Sequence, residues 1–384
     1  MKTKQNMRSG APWPHIFPTL AKVGESLGVA TTRNAFLLIT AGLLAITPMC
    51  FSADMRNPHL VWSKLPALPN TVGLGGCFAG ESGGALLVAD GCNFPGKPFW
   101  EGGKKAWYDT VYVLKKPDGQ WQSVGKLPHA LAYGVSVTTK HGLVCIGGAD
   151  ASRHYAEVLA LSWSRHGLQI SKLPSLPLPL AYAAAAAVGD TIYVVGGLSK
   201  PGAQSASDKF LALDISEKNP AWKELEPCPG RPRMLATAGA LDGAFYLAGG
   251  TALREVKGKV ERTYLQDAWC YNPGQGWRRL AHMPKACSAG ATPAPTFDSA
   301  LFLIGGDDGS LTGFKPIEKH PGFSRRILAY HTGSDTWSIE PEAPFPRATV
   351  QTAFWRGRYV FVGGEVRPGV RSPEVWALSF AGGQ

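Results

Sequence analysis

Charge is scarce in this chain: Asp, Glu, Lys and Arg make up 17% of its 384 residues, against about a quarter in an ordinary soluble domain. Long apolar runs are nearly absent as well. The one that stands out, residues 35–46 (AFLLITAGLLAI), has twelve residues, short of the roughly 20 that cross a bilayer as a helix. The seven cysteines include no C-x-x-C pair and the nine histidines show no ligand spacing, so the common metal motifs are excluded and no metal or cofactor is expected. Dense Lys/Arg tracts are missing too, and with them the footprint of a nucleic-acid binder.

What the chain has instead is 46 glycines and 30 prolines, nearly a fifth of its length, the composition of many short strands joined by turns. Ahead of them stands a segment of different character. A basic stretch carrying Lys2, Lys4, Arg8, Lys22 and Arg33 leads into the apolar run and then into the small residues of PMCFSAD. Residues 1–53 therefore read as a signal peptide or N-terminal anchor, with a cut after Ser52 or Ala53, and the protein is expected to be periplasmic or otherwise exported. The remainder, residues 54–384, is expected to carry a net charge of +7, from +11 for the whole chain. No membrane span is expected within it. That surplus favours a small anionic ligand. Six cysteines remain there, expected as buried thiols, with a disulfide as the alternative.

Self-similarity dominates this part. An apolar run closing on a glycine pair recurs as LVCIGG, IYVVGG, FYLAGG, LFLIGG and YVFVGG, with a degenerate copy, LLVADG, ahead of them. Their final glycines, Gly91, Gly148, Gly197, Gly250, Gly306 and Gly364, lie 57, 49, 53, 56 and 58 residues apart, near the kelch period of about 50. Further strands follow each pair, then a tryptophan (Trp121, Trp222, Trp277, Trp337) and a proline-marked strand end. The copy after Gly148 lacks the tryptophan. Four strands per unit and six units predict an all-β, six-bladed kelch-type β-propeller. The last unit lacks its tryptophan strand, and VWSKLPALP at residues 61–69 supplies one. One blade is thus expected to be closed by strands from both chain ends.

In such a blade the loops after the glycine pairs share a face with the links between blades. That face should gather Glu365, Arg367 and Arg371, the loop 93–109, Arg231, Arg233 and Arg347. Enzyme-like patterns elsewhere fail on context. GESGG at residues 80–84 matches G-x-S-x-G but is a hairpin turn on the opposite face. GCNFPGK at residues 91–97 is followed by Pro98 where a phosphate loop needs Ser or Thr. The paired Lys104 and Lys105, after two glycines, read equally as a solvated loop or an anion contact. Glu365 and Arg371 flank a Pro368-Gly369 bend that turns both side chains toward the ring axis. A surface ion pair is the plain reading; a proton-moving carboxylate beside a carboxylate-binding guanidinium is the functional one.

These segments resemble a known family, the bacterial N-acetylneuraminate mutarotases or epimerases. The resemblance rests on GGEVRPGVRSPEVWALSF, GGCFAGESGGALLVADGCNFPG, EGGKKAWYDTVYVL, KLPHALAYGVSV and VCIGGADASRHYAEVLALSW. Their rotated order resembles the cyclically permuted subgroup. The resemblance implies an exported isomerase that interconverts the α and β anomers of free sialic acid, with Glu365 as base and Arg371 as its partner. Ring opening needs a base at the anomeric hydroxyl and an acid at the ring oxygen, with no cofactor. Arg371 is expected to hold the sugar carboxylate, and Arg347, Arg231, Lys104, Lys105, Asn93 and Tyr133 to line the substrate. Tyr133, Glu101 or a water stand as acids, and a homodimer is left open. Two departures accompany the resemblance: Asp90-Gly91 in place of the first glycine pair, and Val366-Arg367 after the glutamate. A non-catalytic kelch propeller binding a sialylated or protein partner is one alternative. A sialidase-like hydrolase is the other, although its S-x-D-x-G-x-x-W boxes are absent.

Overall fold

A computed structural model describes residues 59–381, so the leader expected at residues 1–53 lies outside the described residues. Among the described residues there is no α-helix, only strands and two short 3-10 turns, and no helix is long and apolar enough to cross a membrane.

Six four-stranded antiparallel sheets form the six blades. Blade 1 runs through Phe78–Ser82, Ala85–Asn93, Ala106–Leu114 and Gln122–Lys126, and the others repeat this order along the chain. Blade 6 is the exception. Its strands Gln351–Trp355, Arg358–Val362 and Val375–Ala381 are joined by His59–Leu65, in register from His59 opposite Ala381 to Leu65 opposite Val375. The blade shared between the two ends of the repeat array is present as the sequence predicts.

The recurrent residues have mechanical roles. The indole N–H of Trp121, Trp222, Trp277 and Trp337 donates to a backbone carbonyl of the preceding blade, those of Pro66, Pro174, Glu226 and Ala281, at 2.7–3.0 Å. Each tryptophan therefore fastens neighbouring blades through the proline-marked segment. The first glycine of each intact pair has φ between 60° and 73°, and a Cβ there would lie 2.1–2.5 Å from a carbonyl oxygen of the next blade. Glycine is required twice over, by backbone sign and by space.

Asp90 occupies that position in blade 1, with φ 54° at a bulge between Ala89 and Gly91. It is 1% exposed and neither carboxylate oxygen has a side-chain partner, the backbone amides of Phe78 and Gly91 being the groups that favour its charged form. Burial pushes its pKa well above the usual carboxylate range, reinforced by Cys92. The six described cysteines are free thiols, five buried and Cys228 half-buried, so the disulfide alternative falls away.

Around the axis the six residues ahead of the inner strands, Gly76, Tyr133, Tyr182, Leu235, Ala289 and Thr349, all have φ between 53° and 66°. Each amide donates to the carbonyl of the preceding member, Gly76 to Thr349 closing the circle, at 2.7–3.3 Å. Non-glycine residues there cost about 1 kcal/mol or more each; the closed hydrogen-bond ring holds them. Tyr133 and Tyr182 of this ring stack on each other and form the floor of the site.

Candidate active site

The residue after each glycine pair makes a β-bridge beside that ring: Cys92, Ala149, Leu198, Thr251, Asp307 and Glu365. Glu365 is thus one of six equivalent positions around the axis, paired with Ala348 through two backbone hydrogen bonds of 2.8 Å. Among the described residues, a small two-stranded ribbon is added outside the blades only after Gly250 and Gly364. In the second ribbon Glu365–Arg367 pairs with Val370–Arg371, and Glu365 stands directly opposite Arg371. Cross-strand neighbours share a face, which explains the spacing of the two charged residues around Pro368-Gly369.

The ribbon is clamped from both sides. A Cβ on Gly369 would fall 2.3 Å from the Phe99 ring, and one on Gly75 would fall 2.4 Å from Nε of Arg371. On the outer side Arg367 Nη1 donates to the Glu318 carbonyl at 2.7 Å. Phe94, Phe99 and Trp100 of the loop 93–109 form a continuous aromatic cluster, and that loop carries Lys105 back toward the axis.

Arg371 is 1% exposed at its side chain, and its Nη1 forms an ion pair with Glu365 Oε1. Its Nη2 donates to the Tyr133 hydroxyl at 3.0 Å. Burial opposes its charge, yet Glu365 and Tyr133 hold its pKa above the ordinary arginine value. Lys105 Nζ lies 3.2 Å from the same hydroxyl and sits 5.0–5.6 Å from the ring centres of Tyr133, Phe94 and Trp107. Cys92 Sγ approaches it at 3.1 Å. Burial, then Cys92, pushes the Tyr133 phenol well above its usual range, against the pull of Arg371. Tyr182 packs on Tyr133 with ring centres 4.8 Å apart. Its own pKa is raised by burial, while Lys105 lowers it and Glu365 raises it. Opposite charges therefore face one aromatic floor: two cations, one carboxylate, and a surplus of positive charge suited to an anion.

Of the expected site residues, Glu365, Arg371, Tyr133 and Lys105 come together. Asn93 does not line open space. It is fully buried, donates to Asn70 Oδ1 and the Gly73 carbonyl, and accepts from Tyr108. Arg347 is also framework: it donates to the carbonyls of Gly363 and Pro346, to Ser372 Oγ and to Glu374 Oε2. Arg233, ahead of blade 4 (Thr237–Leu241, Ala244–Ala248, Ala268–Asn272 and Gly276–Arg279), does the same with the Gly249 carbonyl and both oxygens of Asp267. Arg231, Lys104 and Glu101 are exposed and lie outside the buried cluster. Sequence reasoning missed Tyr182, Phe94, Trp107 and Cys92. The repeated LAYG and LAYA ahead of two inner strands was the available signal for Tyr182.

A cavity of about 680 Å³ opens on the opposite face beside Ser82, Thr139 and Trp163. Ser82 Oγ there accepts from the Trp163 amide at 2.9 Å, so GESGG offers a structural hydroxyl and not a nucleophile.

Comparison with known proteins gives the family and the fold. The sequence model of the N-acetylneuraminate epimerase family matches residues 13–170 and 173–318; the Glu365–Arg371 ribbon lies beyond it. The chain is 28% identical over 225 residues to the N-acetylneuraminate epimerase of Haemophilus influenzae (strain PittEE), covering 52% of this chain and 57% of that protein. It is 29% identical over 231 residues to the one from Pasteurella multocida (strain Pm70), covering 53% and 58%. The chain thus spans somewhat more than half the length of these curated relatives. The solved structure of YjhT superposes with a TM-score of 0.62 at 16% identity, covering 84% of this chain and 99% of that one, a likeness of fold.

Proposed function

The chain belongs to the N-acetylneuraminate epimerase family, and from that premise we propose that it is a mutarotase acting on free N-acetylneuraminate. The observation that carries the reading is the buried Glu365–Arg371 pair at the axis, with Tyr133 and Lys105 leaving an excess of positive charge. A sialic acid presents a carboxylate, a hydroxyl and the ring oxygen on one anomeric carbon. A site combining a carboxylate base with surplus cations matches that arrangement. Glu365 accepts the anomeric hydroxyl proton as the ring opens and returns it when the ring closes on the other face. Arg371, nearly enclosed and turned to Glu365 and Tyr133, keeps that carboxylate oriented; the carboxylate-anchoring role expected from sequence passes to the more accessible Lys105.

The test is proton NMR of α-N-acetylneuraminate freshly released by a separate sialidase. Wild-type protein should speed α-to-β conversion, and Glu365→Gln should abolish the gain. A rate equal to the uncatalysed one, with sialate still bound, leaves a sugar-binding propeller. Release of sugar from a sialoside by the protein itself indicates a hydrolase. Export is part of the same proposal, supported by the apolar run at residues 35–46 and the small residues after it. N-terminal sequencing of the protein from a cell envelope fraction should begin near residue 53 or 54; an intact leader in the cytosol would contradict it.

A further inference from the structure

Ring opening also needs an acid, and the hydrogen bonds around Tyr133 narrow the choice. A phenol oxygen has two lone pairs and one proton. Lys105 Nζ and Arg371 Nη2, both cations at 3.2 and 3.0 Å, have only hydrogens to offer and fill both lone pairs. Cys92 Sγ approaches the same oxygen at 3.1 Å and the Gly75 carbonyl at 3.6 Å. Its single S–H therefore goes to Gly75, and the phenolic proton points at the sulfur. Cys92 is completely buried, so that proton faces the protein interior and away from any ligand. Glu101 is exposed at the end of the Phe99–Glu101 turn, separate from the cluster. Lys105 has three N–H groups and spends one on Tyr133. It is partly exposed, and its ammonium is held between the Phe94, Trp107 and Tyr133 rings.

Building on the mutarotase reading, we propose that Lys105 is the general acid, with Tyr133 as the positioning residue that aims it. In the opening step Glu365 takes the anomeric O–H proton and the carbon–oxygen double bond forms. The bond from the anomeric carbon to the ring oxygen breaks, its electron pair stays on that oxygen, and the ring oxygen takes a proton from the Lys105 ammonium. Closure on the opposite carbonyl face reverses each transfer, so both side chains regain their starting states. The sugar carboxylate shares the anomeric carbon with the ring oxygen. One ammonium with two remaining N–H groups reaches an oxygen of each, so the acid also anchors the substrate.

The same NMR assay on the full chain separates the possibilities, with circular dichroism confirming that each variant is folded. Lys105→Arg keeps the cation but holds its proton too tightly to donate it. It should lower kcat about 100-fold or more while leaving KM within a few-fold. Lys105→Met should lower kcat similarly and also raise KM. Tyr133→Phe should be milder than either. Wild-type kcat in Lys105→Arg would make Lys105 an anion contact only and overturn the proposal. So would a Tyr133→Phe loss equal to that of Lys105→Met. No acceleration by wild type would overturn the mutarotase reading itself, a result distinguishable from either.

Discussion

Three buried arginines pair with carboxylates among the described residues, and they divide into two kinds. Arg233–Asp267 in blade 4 and Arg347–Glu374 in blade 6 occupy the same place in the repeat. Each arginine also donates to the carbonyl of a first glycine, Gly249 or Gly363, and that glycine's amide donates to the carbonyl of the paired acid. Arg371–Glu365 has no counterpart among the blade strands. It sits on a ribbon added after a glycine pair, beside the axial ring and under an aromatic loop. An ion pair that recurs with the repeat serves the repeat; one that departs from it is where chemistry is to be sought. Charge and burial alone do not separate the two kinds.

Breaking each kind should give opposite phenotypes. The largest effect is expected from Glu365→Gln, which should reduce the mutarotation rate by about 10²- to 10⁴-fold, measured by NMR, in a protein that still folds. Asp267→Ala should leave activity per folded molecule unchanged but lower unfolding free energy by about 3–5 kcal/mol, seen in urea titration, because Arg233 at 2% exposure loses its partner. A loss of rate per folded molecule would instead place that pair in the site.

Asp90 sharpens the comparison as a buried carboxyl with no arginine at all. Its pKa is raised by burial, so the stability tied to its protonated form is present below the unfolded value and lost as pH rises through the folded one. Asp267 has the reverse sign. Burial raises its pKa, but Arg233 lowers it further, so its contribution is present at neutral pH and lost as pH falls through the depressed folded value. Asp90→Gly restores the glycine pair and should stabilise by about 1–3 kcal/mol, with the gain larger at pH 8 than at pH 5 in thermal melts. A destabilised Asp90→Gly protein would mean that the Phe78 and Gly91 amides hold the carboxyl more strongly than burial penalises it. The smallest effect is expected from Lys64→Ala. Its salt bridge to Glu374 at 2.7 Å is 58% exposed on the lysine side, and exposed pairs contribute about 0–1 kcal/mol. Closure of blade 6 should therefore survive, carried by the strand register from His59 to Leu65.

The fold was legible because its signals repeat: glycine pairs, tryptophans and prolines at a near-constant period each mark a contact between blades. The Glu365–Arg371 pair was legible because a Pro-Gly bend fixes which residues oppose each other. Arg347 and Asn93 misled for the complementary reason. Sequence places them on the correct face but cannot show that each is consumed by inward hydrogen bonds. Tyr182 and Trp107 stayed hidden because their role depends on contacts between different blades and loops. Lys105 was visible only as one of two adjacent lysines, and its position beside Tyr133 separates it from the exposed Lys104.

The most direct measurement is the α-to-β conversion rate of N-acetylneuraminate in Glu365→Gln and Asp267→Asn proteins, side by side with wild type, at a temperature where circular dichroism shows all three folded. The account predicts a rate near the uncatalysed one for Glu365→Gln and a wild-type rate for Asp267→Asn. Equal losses in both, or a wild-type rate in Glu365→Gln, would contradict the assignment of the unrepeated pair as the catalytic one.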